Sequence, residues 1–145
     1  MEVINVTIDR SRWDVAPNKC VKHNGNEKAD SYLYDSTTGL QCCLGFLGVA
    51  CGFSLEELDN VQEPFNVVER TGPGPYDVKR DSRWPKGLLT FAPEGCAETK
   101  LIQTNDSCDL TNAEREAKIH EYGLAAGINF TFEGEYLTPP GGLKN

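Results

Sequence analysis

The sequence predicts an α+β domain: a small antiparallel sheet with two main helices packed on one face. Three observations predict it. Short segments near the two ends alternate apolar and polar residues. One uncharged, mostly apolar run, residues 41–52, lies between them. Two Ser/Thr-x-x-Glu signatures, at Ser54 and Thr111, each stand where a helix would begin.

In the first segment Ile4, Val6 and Ile8 share one face, and Val3, Asn5 and Thr7 the other. That period of two describes a half-buried strand. Residues 9–13 close it with a turn, and Trp13 is a core anchor. Residues 14–30 are polar and read as a loop; 31–34 form a short strand candidate, and 35–39 a turn. The apolar run gives a buried helix over about 41–50. Gly45 and Gly48 lie one turn apart in it, each costing up to about 1 kcal/mol relative to Ala. Glycines at that spacing predict a strand or helix whose backbone comes close, and Gly52 supplies a left-handed cap.

The Ser54-Leu55-Glu56-Glu57 box opens a short helix that ends before Pro64. Residues 71–75, Thr-Gly-Pro-Gly-Pro, cannot be helix or interior strand. Trp84 is a second core anchor. Residues 87–91 and 100–102 are short apolar pieces around a turn at 93–95, and 105–109 form a polar turn. The helix opened by Thr111 runs to about Ala126, with Ala113, Ala117, His120 and Leu124 as its packing stripe, widened by Ile119 and Tyr122. Gly127 ends it. Ile128, Phe130 and Phe132 then point inward from a last strand, which should pair with the first because their apolar faces match. The whole of 1–145 reads as one domain, with a loop-rich insert at about 63–100 and a frayed tail at about 138–145.

Net charge −8 and a pI near 4.7 argue against binding nucleic acid in bulk, which needs many Lys/Arg–phosphate contacts. The same charge repels membranes, and the run 41–52 is too short for the roughly 20 apolar residues of a transmembrane helix. The N-terminal residues lack the basic and apolar regions of a signal peptide. The expected setting is therefore a reducing cytoplasm, with all 6 cysteines as thiols.

Three constellations carry possible chemistry. Cys20-x-x-His23 has metal-ligand spacing, but the sequence supplies no second half-site, so neither a metal nor another cofactor is expected. Cys42 or Cys43, at the start of a helix and preceded by Gln41, has the layout of a thiol nucleophile beside an oxyanion donor. Its histidine would have to be His23 or His120. The third set is basic: Arg10, Arg12, Arg80 and Arg83, with Lys79, near Trp13 and Trp84. If these converge, guanidinium forks and indole rings would hold an anionic small molecule such as a nucleotide. The plainer readings are buried structural thiols and scattered surface charges. Gly72-Pro73-Gly74 is no phosphate loop, because proline lacks the donating amide.

Three blocks of the sequence also resemble a family of small tailed-bacteriophage and prophage proteins. The first is Val6-Thr7-Ile8-Asp9-Arg10-Ser11-Arg12-Trp13. The second runs from Leu33-Tyr34-Asp35 through Gln41-Cys42-Cys43-Leu44-Gly45-Phe46-Leu47 to Ala50-Cys51-Gly52, and its Cys-Cys-Leu-Gly core is the most specific. The third comprises Thr104-Asn105-Asp106, Glu114-Arg115-Glu116 and Gly127-Ile128 with the closing strand. Cys20, His23, Cys96, Cys108 and the region 63–100 lie outside the blocks. The resemblance implies a phage gene product in the host's cytoplasm and transfers no site residue. The leading expectation is a non-enzymatic accessory protein that inhibits a bacterial defence system by binding a defence protein or sequestering a nucleotide signal. The alternatives are a cysteine-dependent enzyme using Cys42 or Cys43, and a structural or assembly module forming a homo-oligomer.

Overall fold

The computed structural model describes residues 3–15, 22–23, 26–27, 31–89, 91–92, 95–107 and 109–136. In chain order the elements are β1 (Ile4–Asp9), β2 (Lys22–His23), β3 (Asn26–Glu27), α1 (Cys43–Ala50), α2 (Leu55–Leu58), β4 (Val68–Arg70), β5 (Val78–Arg80), β6 (Phe91–Ala92), β7 (Gly95–Cys96), α3 (Ala97–Asn105), α4 (Asn112–Ala125) and β8 (Ile128–Glu133). Short 3₁₀ turns cover Arg10–Arg12, Pro64–Asn66 and Lys86–Leu89. The α+β class is as the sequence predicts.

The first and last strands do pair, in a ladder running from Ile4 opposite Ile128 to Asp9 opposite Glu133. They run parallel, however, not antiparallel as expected; the antiparallel pairs are the short hairpins β2–β3, β4–β5 and β6–β7. Alternation specifies which residues face inward but not the strand's direction. Here direction follows from Gly127, whose φ of 82° reverses the chain directly from α4 into β8. The amide of Ile4 bonds the Gly127 carbonyl at 3.0 Å, so both strands start at the same end.

The predicted faces hold. Val6, Ile8, Ile128 and Phe130 are buried, whereas the outer face carries polar pairs: Thr7 with Thr131 at 3.3 Å, and Asn129 donating to Asn5 at 3.0 Å. Helix α1 packs on β1 and α4 on β8, with α3 wedged between the two helices. The buried side chains form one core that includes Trp13, Leu33, Leu44, Leu47, Leu101 and Ile119. In α1, a Cβ on Gly45 would lie 1.8 Å from the Leu33 carbonyl oxygen, so a backbone does cross this glycine face.

Two sequence readings are corrected. Residues 97–105 form a helix, α3, where one short apolar piece, 100–102, and the start of a turn were expected. And α4 buries Arg115, Ile119 and Gly123, while Ala113, Ala117, His120 and Leu124 are exposed. In both helices the inward face carries polar residues (Glu98, Thr104, Asn105, Arg115), so the apolar stripe points elsewhere. Within the insert, 71–75 close the β4–β5 hairpin. Arg70 donates to the Gly74 carbonyl at 2.7 Å, and the Gly74 amide donates to Asp77 at 2.8 Å. Among the described residues no helix is long and apolar enough to cross a membrane.

Candidate functional site

The structure does not gather the basic set into one place. Arg10, in the turn after β1, grips Glu116 of α4 with a two-toothed fork. Its Nε lies 2.8 Å and its Nη2 2.7 Å from the carboxylate oxygens, while Nη1 donates to the Gly134 carbonyl at 3.0 Å. The Tyr136 hydroxyl donates to the same carboxylate, and the guanidinium lies 5.7 Å from the Tyr136 ring centre. Burial pushes the Glu116 carboxyl up, but the Arg10 and Tyr136 hydrogen bonds outweigh it and hold it below the ordinary value. The depression beside this corner, about 480 Å³, is lined by Arg10 together with Glu116 and Glu135, a poor balance for an anion.

Arg12 is exposed and offers only its carbonyl inward, to the Gln41 amide at 2.9 Å. Trp13 is fully buried against Phe132 and Tyr136 and presents no open ring face. Arg80 binds Glu98 at 2.5 Å. Arg83 binds Asp81 and Glu57 and lies 3.9 Å over the Phe53 ring, which stacks on the buried Trp84. The predicted ligand residues therefore sit in separate clusters, and each guanidinium except that of Arg12 is held by carboxylates. Lys79 pairs with Glu69 at 3.2 Å.

Helix α1 starts at Cys43, with Cys42 as its cap residue. Both thiols are buried. Desolvation pushes Cys42 up to about 12 and Cys43 well above the ordinary thiol range, so neither is a thiolate near neutral pH. The Cys43 thiol donates to the Leu101 carbonyl at 3.7 Å. Gln41 is buried as well. His120 is exposed, with Nδ1 2.9 Å from the Phe130 carbonyl. The four described cysteines (42, 43, 51 and 96) are free, while Cys20, Cys108 and the His23 side chain lie outside the described residues. Among the described residues no group of three or more His, Cys, Asp or Glu could hold a metal ion.

Beside these thiols lies a polar knot tied by Asn105, at the end of α3. Its side-chain oxygen accepts from the Trp13 indole at 2.7 Å and from the Cys43 amide at 3.0 Å; its nitrogen donates to the Asp14 carbonyl at 2.9 Å and to Asp106 at 3.1 Å. Ser31 donates to Asp106 at 2.6 Å. One residue thus joins the end of β1, the start of α1 and the C-terminus of α3. Its full burial is consistent with every polar atom having a partner.

A second groove, about 250 Å³, lies between α3 and α4. Lys100 and Gln103 line it from α3, Lys118 and Tyr122 from α4, and Ser107 from the connection. The Lys100 ammonium sits 5.3 Å from the Tyr122 ring centre. Among the described residues lining this groove there is no carboxylate. Arg115 is fully buried against the same connection, donating to the carbonyls of Thr104 (3.3 Å), Leu110 (3.1 Å) and Ser107, all three of which line the groove, and to Asn112 at 2.9 Å. Among the described residues every acceptor of these hydrogen bonds is neutral.

The sequence pattern marks Lys118 as the i,i+4 partner of Glu114 and names none of Lys100, Arg115 and Lys118 as a site residue. The spacing of Lys118 and Tyr122 by four along a helix was a usable signal, but Lys100 joins them only once α3 exists. Comparison with protein-family models, curated proteins and solved structures finds no match. The arrangement can bind through charge and hydrogen bonds; it presents no activated nucleophile among its described residues.

Proposed function

We propose that this protein works by binding: a bacteriophage accessory protein that acts in the host cytoplasm and inhibits a defence system. It does so by occupying a defence protein or holding an anionic signal molecule such as a nucleotide. The observation that carries the binding reading is the burial of Cys42 and Cys43, which withdraws the best candidate nucleophiles, while Lys100 and Lys118 line an accessible groove. The phage and defence setting rests on the sequence blocks alone. The cysteine-enzyme reading requires a reactive thiolate, and burial opposes it at both positions.

Native mass spectrometry of protein expressed in a bacterial host, compared with its denatured mass, tests this reading. The expected result is extra mass, a small molecule or a host protein, that disappears on denaturation. A bare chain, or a bare homo-oligomer as the assembly alternative requires, contradicts it.

A further inference from the structure

The β4–β5 hairpin carries a tip that is tied to itself. Arg70 donates through one nitrogen, Nη2, to the carbonyls of Gly72 (3.4 Å), Pro73 (3.3 Å) and Gly74 (2.7 Å). The Thr71 amide donates to the Asp77 carbonyl at 2.8 Å, and the Asp77 amide to the Gly74 carbonyl at 3.2 Å. The backbone closes tightly around the Asp77 carboxylate: a Cβ on Gly72 or Gly74 would lie 2.8 or 2.7 Å from its oxygen. A tip held this way has little conformational entropy left to lose on binding.

On this fixed tip Tyr76 is 92% exposed, the most exposed large hydrophobic side chain among the described residues. Pro73 and Pro75 beside it are exposed too. Val78 and Val68 extend the apolar surface down the hairpin. They are diagonal neighbours on one face, since Val68 pairs with Arg80 and Val78 with Arg70. The other face is closed by the Lys79–Glu69 ion pair. Arg70 is exposed and, among the described residues, donates only to carbonyl oxygens, so no carboxylate answers its charge. Tyrosine and arginine are the residue types that most often anchor protein interfaces.

The complement of this surface is an apolar pocket with a carboxylate at its rim. The two grooves of this chain described above are lined mainly by polar side chains, so a second copy is a poor match. Net charge −8 opposes an anionic lipid surface. We infer that the β4–β5 hairpin docks onto a partner protein, with the Tyr76 ring in an apolar pocket and Arg70 on a carboxylate at its rim. The inference deepens the binding reading, in its protein-partner form, and rests on it.

Photo-crosslinking of the full chain in a bacterial host tests the surface. Tyr76→p-benzoylphenylalanine places the crosslinker at the tip, and Leu124→p-benzoylphenylalanine places it on exposed α4 as a control. Irradiation should join position 76, and not position 124, to one host protein of discrete mass. In lysate, excess wild-type chain should suppress that product at least about tenfold, the scale of one lost anchor residue. Tyr76→Phe should compete within about threefold of wild type, and Tyr76→Ser should not compete. Tyr76→Ser should also melt within about 2 °C of wild type, so that its failure reports the missing ring and not unfolding. No crosslink at position 76, equal crosslinking at position 124, a crosslink between two copies of the chain, or equal competition by Tyr76→Ser overturns the docking surface. If position 76 stays unlinked while native mass spectrometry finds a bound small molecule or host protein, this surface falls and the binding reading stands.

Discussion

Arg10 and Arg115 show two ways to hold a guanidinium. Arg10 sits at the end of the β1–β8 pair, partly exposed, with both teeth of its fork on Glu116. Arg115 sits between α3 and α4, fully buried, and donates only to neutral oxygens among the described residues. At the first corner, positive charge is neutralised where it stands. At the second it is buried among neutral acceptors. An arginine near an aromatic residue therefore says little about a binding site; what matters is whether a carboxylate already answers its charge.

Removing Arg115 should have the largest effect. Arg115→Met strips the donor from the Thr104, Ser107 and Leu110 carbonyls and should cost about 3 kcal/mol, lowering Tm by about 10 °C in a chain of this size. A loss below about 1 kcal/mol in a denaturant melt would mean that those carbonyls find other donors. Next comes Glu116→Gln, expected to cost about 2 kcal/mol at pH 7 because it breaks a charge-assisted fork. The folded-state pKa of Glu116 is lowered. Its contribution is therefore fully present above the ordinary carboxylate value, near 4.3, and is lost as pH falls through the folded value. The stability gap between wild type and variant should thus narrow towards pH 3, and a gap independent of pH would break the assignment. Lys118→Gln is the smallest perturbation, within about 0.5 kcal/mol, because half-buried Lys118 lies beside and not on the buried stripe of α4.

The thiols sharpen the contrast from another direction. Iodoacetamide at pH 8, followed by peptide mapping, should leave Cys42 and Cys43 unmodified in the folded protein and label them on unfolding. Rapid folded-state labelling of either would revive the enzyme reading.

The sequence was legible where one physical signal dominates. Alternation in residues 4–8 and 128–132 marked both strands and their faces. The Ser54 and Thr111 boxes marked two helix starts, and each box makes both of its hydrogen bonds. It was illegible where buried polar residues replace apolar ones. Helix α3 turns Glu98, Thr104 and Asn105 inward, so no apolar stripe announces it, and Arg115 on the buried face of α4 shifts the apparent stripe onto exposed alanines. Asn105, read as part of a turn, is the residue that ties Trp13 to Cys43. Arg10, Trp13, Cys43, Asn105, Asp106, Arg115 and Glu116 all hold the fold together through these hydrogen bonds and ion pairs.

The central claim is that one carboxylate, Glu116, answers the charge of Arg10, whereas neutral oxygens hold that of Arg115. A double-mutant cycle of Arg10→Met with Glu116→Gln, followed by denaturant melts at pH 7, tests it most directly. A coupling of about 1 kcal/mol or more between the two substitutions is what this arrangement requires. Strict additivity of the two would contradict it.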